Sequence, residues 1–120
     1  MPFFAFISLK APHIQDGNGF PTAIPAPWYT DTIIKEMMAP RTPNYNTTGS
    51  TSQNPKHWLI RQQTPITQLE EVKIDDLYIS RLKSLLSVDD LIEELITTLG
   101  PTDLNILDNT YIIFTSDNGY

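Results

Sequence analysis

Between Leu82 and Leu99, apolar side chains fall at Leu82, Leu85, Leu86, Val88, Leu91, Ile92, Leu95, Ile96 and Leu99. These are the three- and four-residue steps of a single helical face. Residues 69–99 therefore read as an amphipathic helix whose Leu/Ile stripe belongs to a core. Gly100-Pro101 ends it, with Gly past the last turn and Pro unable to continue. A cap from Ser87 and Asp90 is available if the helix breaks there. The acidic pairs Asp75-Asp76, Asp89-Asp90 and Glu93-Glu94 read as solvated helix faces rather than as acid–base pairs.

Upstream, the pattern changes. From Lys10 to Gln68 the chain carries eight of its ten prolines, a Gly17-Asn18-Gly19 stretch and a Thr/Ser/Asn-rich patch at 44–54. This reads as loop, with two short helical pieces near Asp31–Met38 and Trp58–Gln63. A connection so long and irregular marks a functional loop or a missing scaffold. Residues 3–9, Phe-Phe-Ala-Phe-Ile-Ser-Leu, form a near-continuous apolar run of the kind found in fully buried strands. Tyr111 to Phe114 reads as a second such strand. The order strand, loop, helix, strand is consistent with a parallel α/β sheet. Two strands and one helix cannot cover both faces of such a sheet, so the chain is expected to be a piece of a larger enzyme.

The 120 residues, 40% of them hydrophobic, permit one core. A net charge of −6 with no basic stripe argues against a nucleic-acid partner. Residues 1–68 sum to +2 and residues 69–120 to −8. An anionic ligand would thus be met by the first half and a cation by the second, although most of these charges also read as ordinary solvated surface. Without cysteine the chain has no disulfide, zinc knuckle or thiol nucleophile. The apolar start is too short to span a bilayer and lacks the basic flank of a signal peptide. Asn46-Thr47-Thr48 is a glycosylation sequon, a hint of a lumenal or extracellular protein.

Three places carry candidate chemistry. Asp117 and Asn118 follow the second strand and offer two hard oxygen ligands of the type Ca²⁺ or Mg²⁺ prefers, backed by Gly119; Asn118-Gly119 is equally a common turn dipeptide. His13 lies just past the first strand, in Lys10-Ala-Pro-His13. If the two strands are parallel neighbours, His13, Asp117 and Asn118 converge on one sheet edge, where ligands of α/β proteins bind. There His13 could hydrogen-bond an anion or protonate a leaving oxygen; a lone loop histidine is also commonly incidental. Lys56-His57-Trp58 reads either as a helix start packed by Trp58, with Lys56 and His57 facing solvent, or as a cationic and aromatic patch for an anionic sugar.

Taken together, five blocks in this order and at these separations resemble one family. They are Phe3-Phe-Ala-Phe-Ile-Ser with Ala11-Pro-His13, Ala39-Pro-Arg41 with Asn44-Tyr-Asn46, and Lys56-His-Trp-Leu-Ile-Arg-Gln62, followed by Leu85-Leu-Ser-Val-Asp-Asp-Leu91 and Asn109–Tyr120. The chain looks like a sulfatase of the N-acetylglucosamine-6-sulfatase and heparan 6-O-endosulfatase branch, over nearly its whole length. The resemblance implies a partial alkaline-phosphatase-like α/β fold: parallel strands, a long loop and one long amphipathic helix, with residues 1–120 forming part of a single catalytic domain. It implies hydrolysis of a 6-O-sulfate ester on N-acetylglucosamine units of glycosaminoglycans, in a lysosomal or secreted protein. Asp117 and Asn118 would be two Ca²⁺ ligands, His13 would contact the sulfate and assist the leaving group, and Lys56 and His57 would touch substrate. No Cys/Ser-x-Pro-Ser-Arg motif occurs, so the formylglycine nucleophile is expected outside this chain, as are the other metal ligands and a sulfate-binding lysine. Lys10 departs from the family's pattern. The chain alone is expected to be inactive. Two other functions fit the same residues, a non-catalytic module binding sulfated glycans through 10–68, and a phosphatase or phosphodiesterase on the same scaffold.

Overall fold

The computed structural model describes residues 2–15, 20–35, 38–47, 56–100 and 106–117. Its dominant element is the expected helix, here α2, Gln68–Leu99; a single turn, α1, Trp58–Arg61, precedes it. At 1.5 Å per residue α2 is about 48 Å long, most of the 60 Å longest dimension of the molecule.

The start of α2 is a reciprocal capping box. Thr67 Oγ1 accepts from the Glu70 amide at 3.3 Å, and Glu70 Oε2 accepts from the Thr67 amide at 2.7 Å. Glu70 and Glu71 place negative charge at the positive end of the helix dipole. The end comes at Gly100, whose amide donates to the Ile96 carbonyl at 2.9 Å. No break occurs between these points. Ser87 donates to the Ser84 carbonyl at 3.0 Å, within the helix, and does not cap a second one.

The loop expected to be irregular is so, and α2 serves as its spine. The Ala23 amide donates to Ser80 Oγ at 3.2 Å, Lys83 Nζ donates to the Thr30 carbonyl at 2.9 Å, and the Tyr29 hydroxyl donates to Asp90 Oδ1 at 2.6 Å. Further along, Asp75 Oδ1 accepts from the Ala39 amide at 2.8 Å, and its Oδ2 pairs with Arg41 at 2.8 Å. Two members of the acidic pairs, Asp75 and Asp90, are thus anchors for the loop rather than free solvated carboxylates. The short helical piece expected near Asp31–Met38 does not form among the described residues of that range; a 3₁₀ turn stands earlier, at Pro27–Tyr29, with Pro27 at its first position.

The expected parallel strands are not confirmed among the described residues. Residues 3–9 and 110–115 form neither strand nor helix, and no sheet exists among the described residues. One isolated antiparallel bridge joins Gln15 and Thr22. The physical reason is that an interior strand takes its hydrogen bonds from neighbours on both sides, and its apolar side chains from layers above and below. The described residues supply neither, so Tyr111 is 96% exposed, and Phe4 and Ile113 are similarly bare. The apolar stripe of α2 is only half covered. Val88 is its one buried member, and Leu82, Leu85, Val88 and Ile92 line an open groove of about 450 Å³ with Ile34 and Phe114. The radius of gyration, 19.7 Å, exceeds the roughly 14 Å of a compact domain of this length. A closed core is therefore not formed by these residues alone.

Candidate functional site

His13 closes a turn. Its amide donates to the Lys10 carbonyl at 2.7 Å, across a cis Ala11–Pro12 peptide. Its ring Nδ1 lies 2.6 Å from the Ile14 carbonyl. A carbonyl only accepts, so Nδ1 carries a proton and Nε2 is the atom left to exchange one with a ligand. The side chain is exposed.

Lys56 and His57 stand together at the start of α1. His57 is the N-cap, and its Nδ1 accepts from the Leu59 amide at a long 3.4 Å. That leaves Nε2 as the outward nitrogen, beside the exposed Trp58 indole, whose ring centre is 5.6 Å from the imidazole. Lys56 Nζ donates to both the carbonyl and the hydroxyl of Thr47. The lysine therefore staples two parts of the loop while its neighbour faces outward, a mixture of the two readings open from sequence.

Asn46 fixes the same loop from the other side. Its Nδ2 donates to the Ile66 carbonyl at 3.0 Å and its Oδ1 accepts from the Ile66 amide at 2.6 Å. It does so with φ 51°, the left-handed region that Asn tolerates better than most residues. The sequon residue is thus engaged at both ends of its amide.

Asp117 is exposed, and its carboxylate makes no hydrogen bond or ion pair with the other described residues. Such oxygens suit a hard cation. Asn118, the second expected ligand, lies outside the described residues, as does Gly119. Among the described residues no three or more His, Cys, Asp or Glu side chains gather as a cation cage. No hydrogen bond joins His13 to Asp117, and the sheet edge on which they were expected to converge is not built from the described residues.

One cluster escaped the sequence reading. Arg41 pairs with Asp75, donates to the Ala39 carbonyl at 2.8 Å and lies over the Tyr45 ring at 4.2 Å. The Tyr45 hydroxyl is enclosed without a hydrogen-bond partner among the described residues. Removal from water pushes its pKa up, with Arg41 acting in the opposite sense. Arg41 and Tyr45 were legible only as parts of a resemblance block, because Asp75, the partner of Arg41, lies on α2. Tyr29 is also raised, first by its hydrogen bond to the Asp90 carboxylate.

Comparison with known proteins gives these places a context. The sulfatase family model matches residues 1–120. The chain is 42% identical over 124 residues to human N-acetylglucosamine-6-sulfatase and 44% identical over 121 residues to the goat enzyme of that name, covering 99% of this chain in both cases. It is 32% identical over 120 residues to an extracellular sulfatase of Drosophila melanogaster, again over 99% of this chain. It spans 19% of the length of the human and goat relatives and 10% of the fly protein. No solved structure matches it. With the family model matched from end to end, this chain belongs to the sulfatase family.

Proposed function

We infer that residues 1–120 are part of a single sulfatase catalytic domain and contribute one wall of its active site. The reaction is hydrolysis of a 6-O-sulfate ester on N-acetylglucosamine units of a glycosaminoglycan: water adds across the ester, the S–O bond breaks, and a sugar alcohol and sulfate leave. One observation carries this reading, the 42–44% identity to N-acetylglucosamine-6-sulfatases over 99% of the chain. The lysosome or the extracellular space is the matching compartment, and no described helix is long and apolar enough to cross a membrane.

Within that site, His13 is the leaving-group residue. The Ile14 carbonyl holds Nδ1–H and so fixes the ring, and Nε2 gives its proton to the departing sugar oxygen. His57 donates from Nε2 to an anionic group of the substrate, and the exposed face of Trp58 packs on a sugar ring. Lys56, through its staple to Thr47, holds this pair in place and adds positive charge beside it. Asp117, with Asn118, would hold Ca²⁺; that ion, when bound, supplies charge stabilisation to the sulfate oxygens. The carboxylate of Asp117 has the donor chemistry for this role and no competing described partner. The formylglycine nucleophile that the family implies is supplied from outside these residues.

The test is sulfate release by the full-length protein carrying this sequence, assayed on an oligosaccharide ending in 6-sulfated N-acetylglucosamine and on its 6-phosphate counterpart. Turnover of the sulfate ester with little of the phosphate supports the assignment. Preferential phosphate release, or binding without turnover of either, overturns it.

A further inference from the structure

The sequon residue Asn46 has a structural position that its sequence does not disclose. Both atoms of its amide are engaged by Ile66, at 2.6 and 3.0 Å. Ile66 directly precedes Thr67, the N-cap of the 32-residue helix α2. The clamp therefore ties residue 46 to the longest element of the fold. On the other side, Thr47 follows Asn46 in the chain. Its hydroxyl donates to the Asn44 carbonyl at 2.9 Å, and its carbonyl and hydroxyl accept from Lys56 Nζ. Lys56 leads into His57, which caps α1. A continuous series of contacts thus runs from the α2 N-cap through Ile66, Asn46, Thr47 and Lys56 to His57 and Trp58.

We propose that Asn46 is a positioning residue for substrate binding: it closes the loop between residues 46 and 66 and so presents the His57-Trp58 face at a fixed distance from α2. This rests on the reading of His57 and Trp58 as substrate contacts. Three properties of Asn46 fit the task. Its side chain reproduces the donor and acceptor of a peptide group, so it pairs with one residue's amide and carbonyl in the manner of a sheet partner. Its left-handed φ of 51° turns the chain where a β-branched or bulky residue would be strained. The amide is partly buried, so loss of either bond leaves a backbone group of Ile66 poorly satisfied. A flexible loop would otherwise have to be ordered each time the sugar binds, and that ordering weakens affinity.

The experiment uses the full-length protein, three single variants and one double variant. Asn46→Gly keeps the left-handed turn but removes the clamp, Thr48→Ala removes the sequon but leaves the Asn46 side chain, and His57→Ala removes the presented contact. Asn46→Gly is expected to raise KM for the 6-sulfated saccharide about five- to tenfold with kcat nearly unchanged, since the loop positions substrate without touching the reacting atoms. In the Asn46→Gly, His57→Ala double variant the two effects are expected not to add. By peptide-level hydrogen exchange, the Ile66 amide and the α1 amides should exchange about tenfold faster in Asn46→Gly, with the C-terminal half of α2 unchanged. Thr48→Ala should match the wild type in both measurements. The proposal is overturned if Asn46→Gly leaves KM and Ile66 exchange at wild-type values, if its defect is confined to kcat, or if Thr48→Ala reproduces the defect, which would assign the effect to a glycan. A wild type that releases no sulfate refutes the functional reading instead, and the exchange measurement then decides the clamp by itself.

Discussion

Asp75 offers the sharpest quantitative test of how the loop is held to α2. Its two carboxylate oxygens have separate tasks: Oδ1 accepts from the Ala39 amide and Oδ2 from Arg41, both at 2.8 Å. The side chains of Arg41 and Asp75 remain 29% and 21% exposed, so solvent screens the ion pair. A pair of this kind contributes about 0.2–1 kcal/mol. The bond from a part-buried backbone amide to a charged acceptor contributes more, about 1.5–3 kcal/mol, because its loss strands the amide. Asp75→Asn keeps an acceptor for Ala39 and loses only the charge, and should cost about 0.5–1 kcal/mol. Asp75→Ala loses both and should cost about 2–3 kcal/mol. Arg41 also stacks on Tyr45, so Arg41→Met is expected to cost something by itself, but its coupling to Asp75→Asn in a double-mutant cycle should stay under about 1 kcal/mol. The assay is chemical denaturation of the full-length protein, with proteolysis at residues 38–47 as a local readout. Equal costs for Asp75→Asn and Asp75→Ala would refute the reasoning, since they would place all of the stabilisation in the charge and none in the amide bond.

Other outcomes follow from the same structure. Thr67→Ala removes the capping box and should destabilise α2 by about 1 kcal/mol. It also changes the acid side of the stability curve. Hydrogen bonds from the Thr67 amide and hydroxyl hold Glu70 below its ordinary 4.5, so its stabilising contribution is full above pH 4.5 and is lost as pH falls through the lowered value; acid titration of Thr67→Ala, followed by circular dichroism, should show that loss reduced. His13→Gln should lower kcat about 10²- to 10⁴-fold on sugar sulfates, while aryl sulfates, whose phenolate departs without a proton, should be much less affected; equal losses on both would remove His13 from the leaving-group role. The 120-residue segment by itself should release no sulfate from a chromogenic aryl sulfate, and measurable turnover would show that a nucleophile exists within it.

The helix was legible because its signal is local. Leu and Ile at three- and four-residue steps, bounded by Gly100, require nothing beyond the helix itself, and Thr67 to Glu70 has the spacing of the capping box that starts it. Trp58–Arg61 was legible for the same reason. The parallel strands are not confirmed by these residues alone, because strand formation depends on partners. Phe3–Leu9 and Tyr111–Phe114 have the composition of buried strands, yet composition cannot supply a ladder, and the described residues leave both segments unpaired. The docking of the loop was hidden for another reason. Its bonds join residues 34 to 61 positions apart, as in Arg41 to Asp75 and Tyr29 to Asp90, and no periodicity announces them. Two of the carboxylates that looked like spare surface charge, Asp75 and Asp90, were therefore the loop's anchors. Of the site, Lys56 and His57 are adjacent as the sequence places them, and His13 sits on a turn just past residues 3–9. Asn46 was visible as a sequon and as part of a resemblance block, but not as a clamp, since its pairing with Ile66 spans a stretch with no regular pattern.

Calcium titration of sulfate release, comparing the full-length wild-type protein with Asp117→Ala, tests the sulfatase assignment and this chain's share in the site together. Wild type should release sulfate from 6-sulfated N-acetylglucosamine, lose activity on removal of calcium and regain it on readdition. Asp117→Ala should lose at least about 100-fold in activity or calcium affinity, since a direct ligand matters no less than the outer-shell groups that support one. Wild-type activity and calcium affinity in Asp117→Ala would contradict the assignment of this carboxylate to the metal.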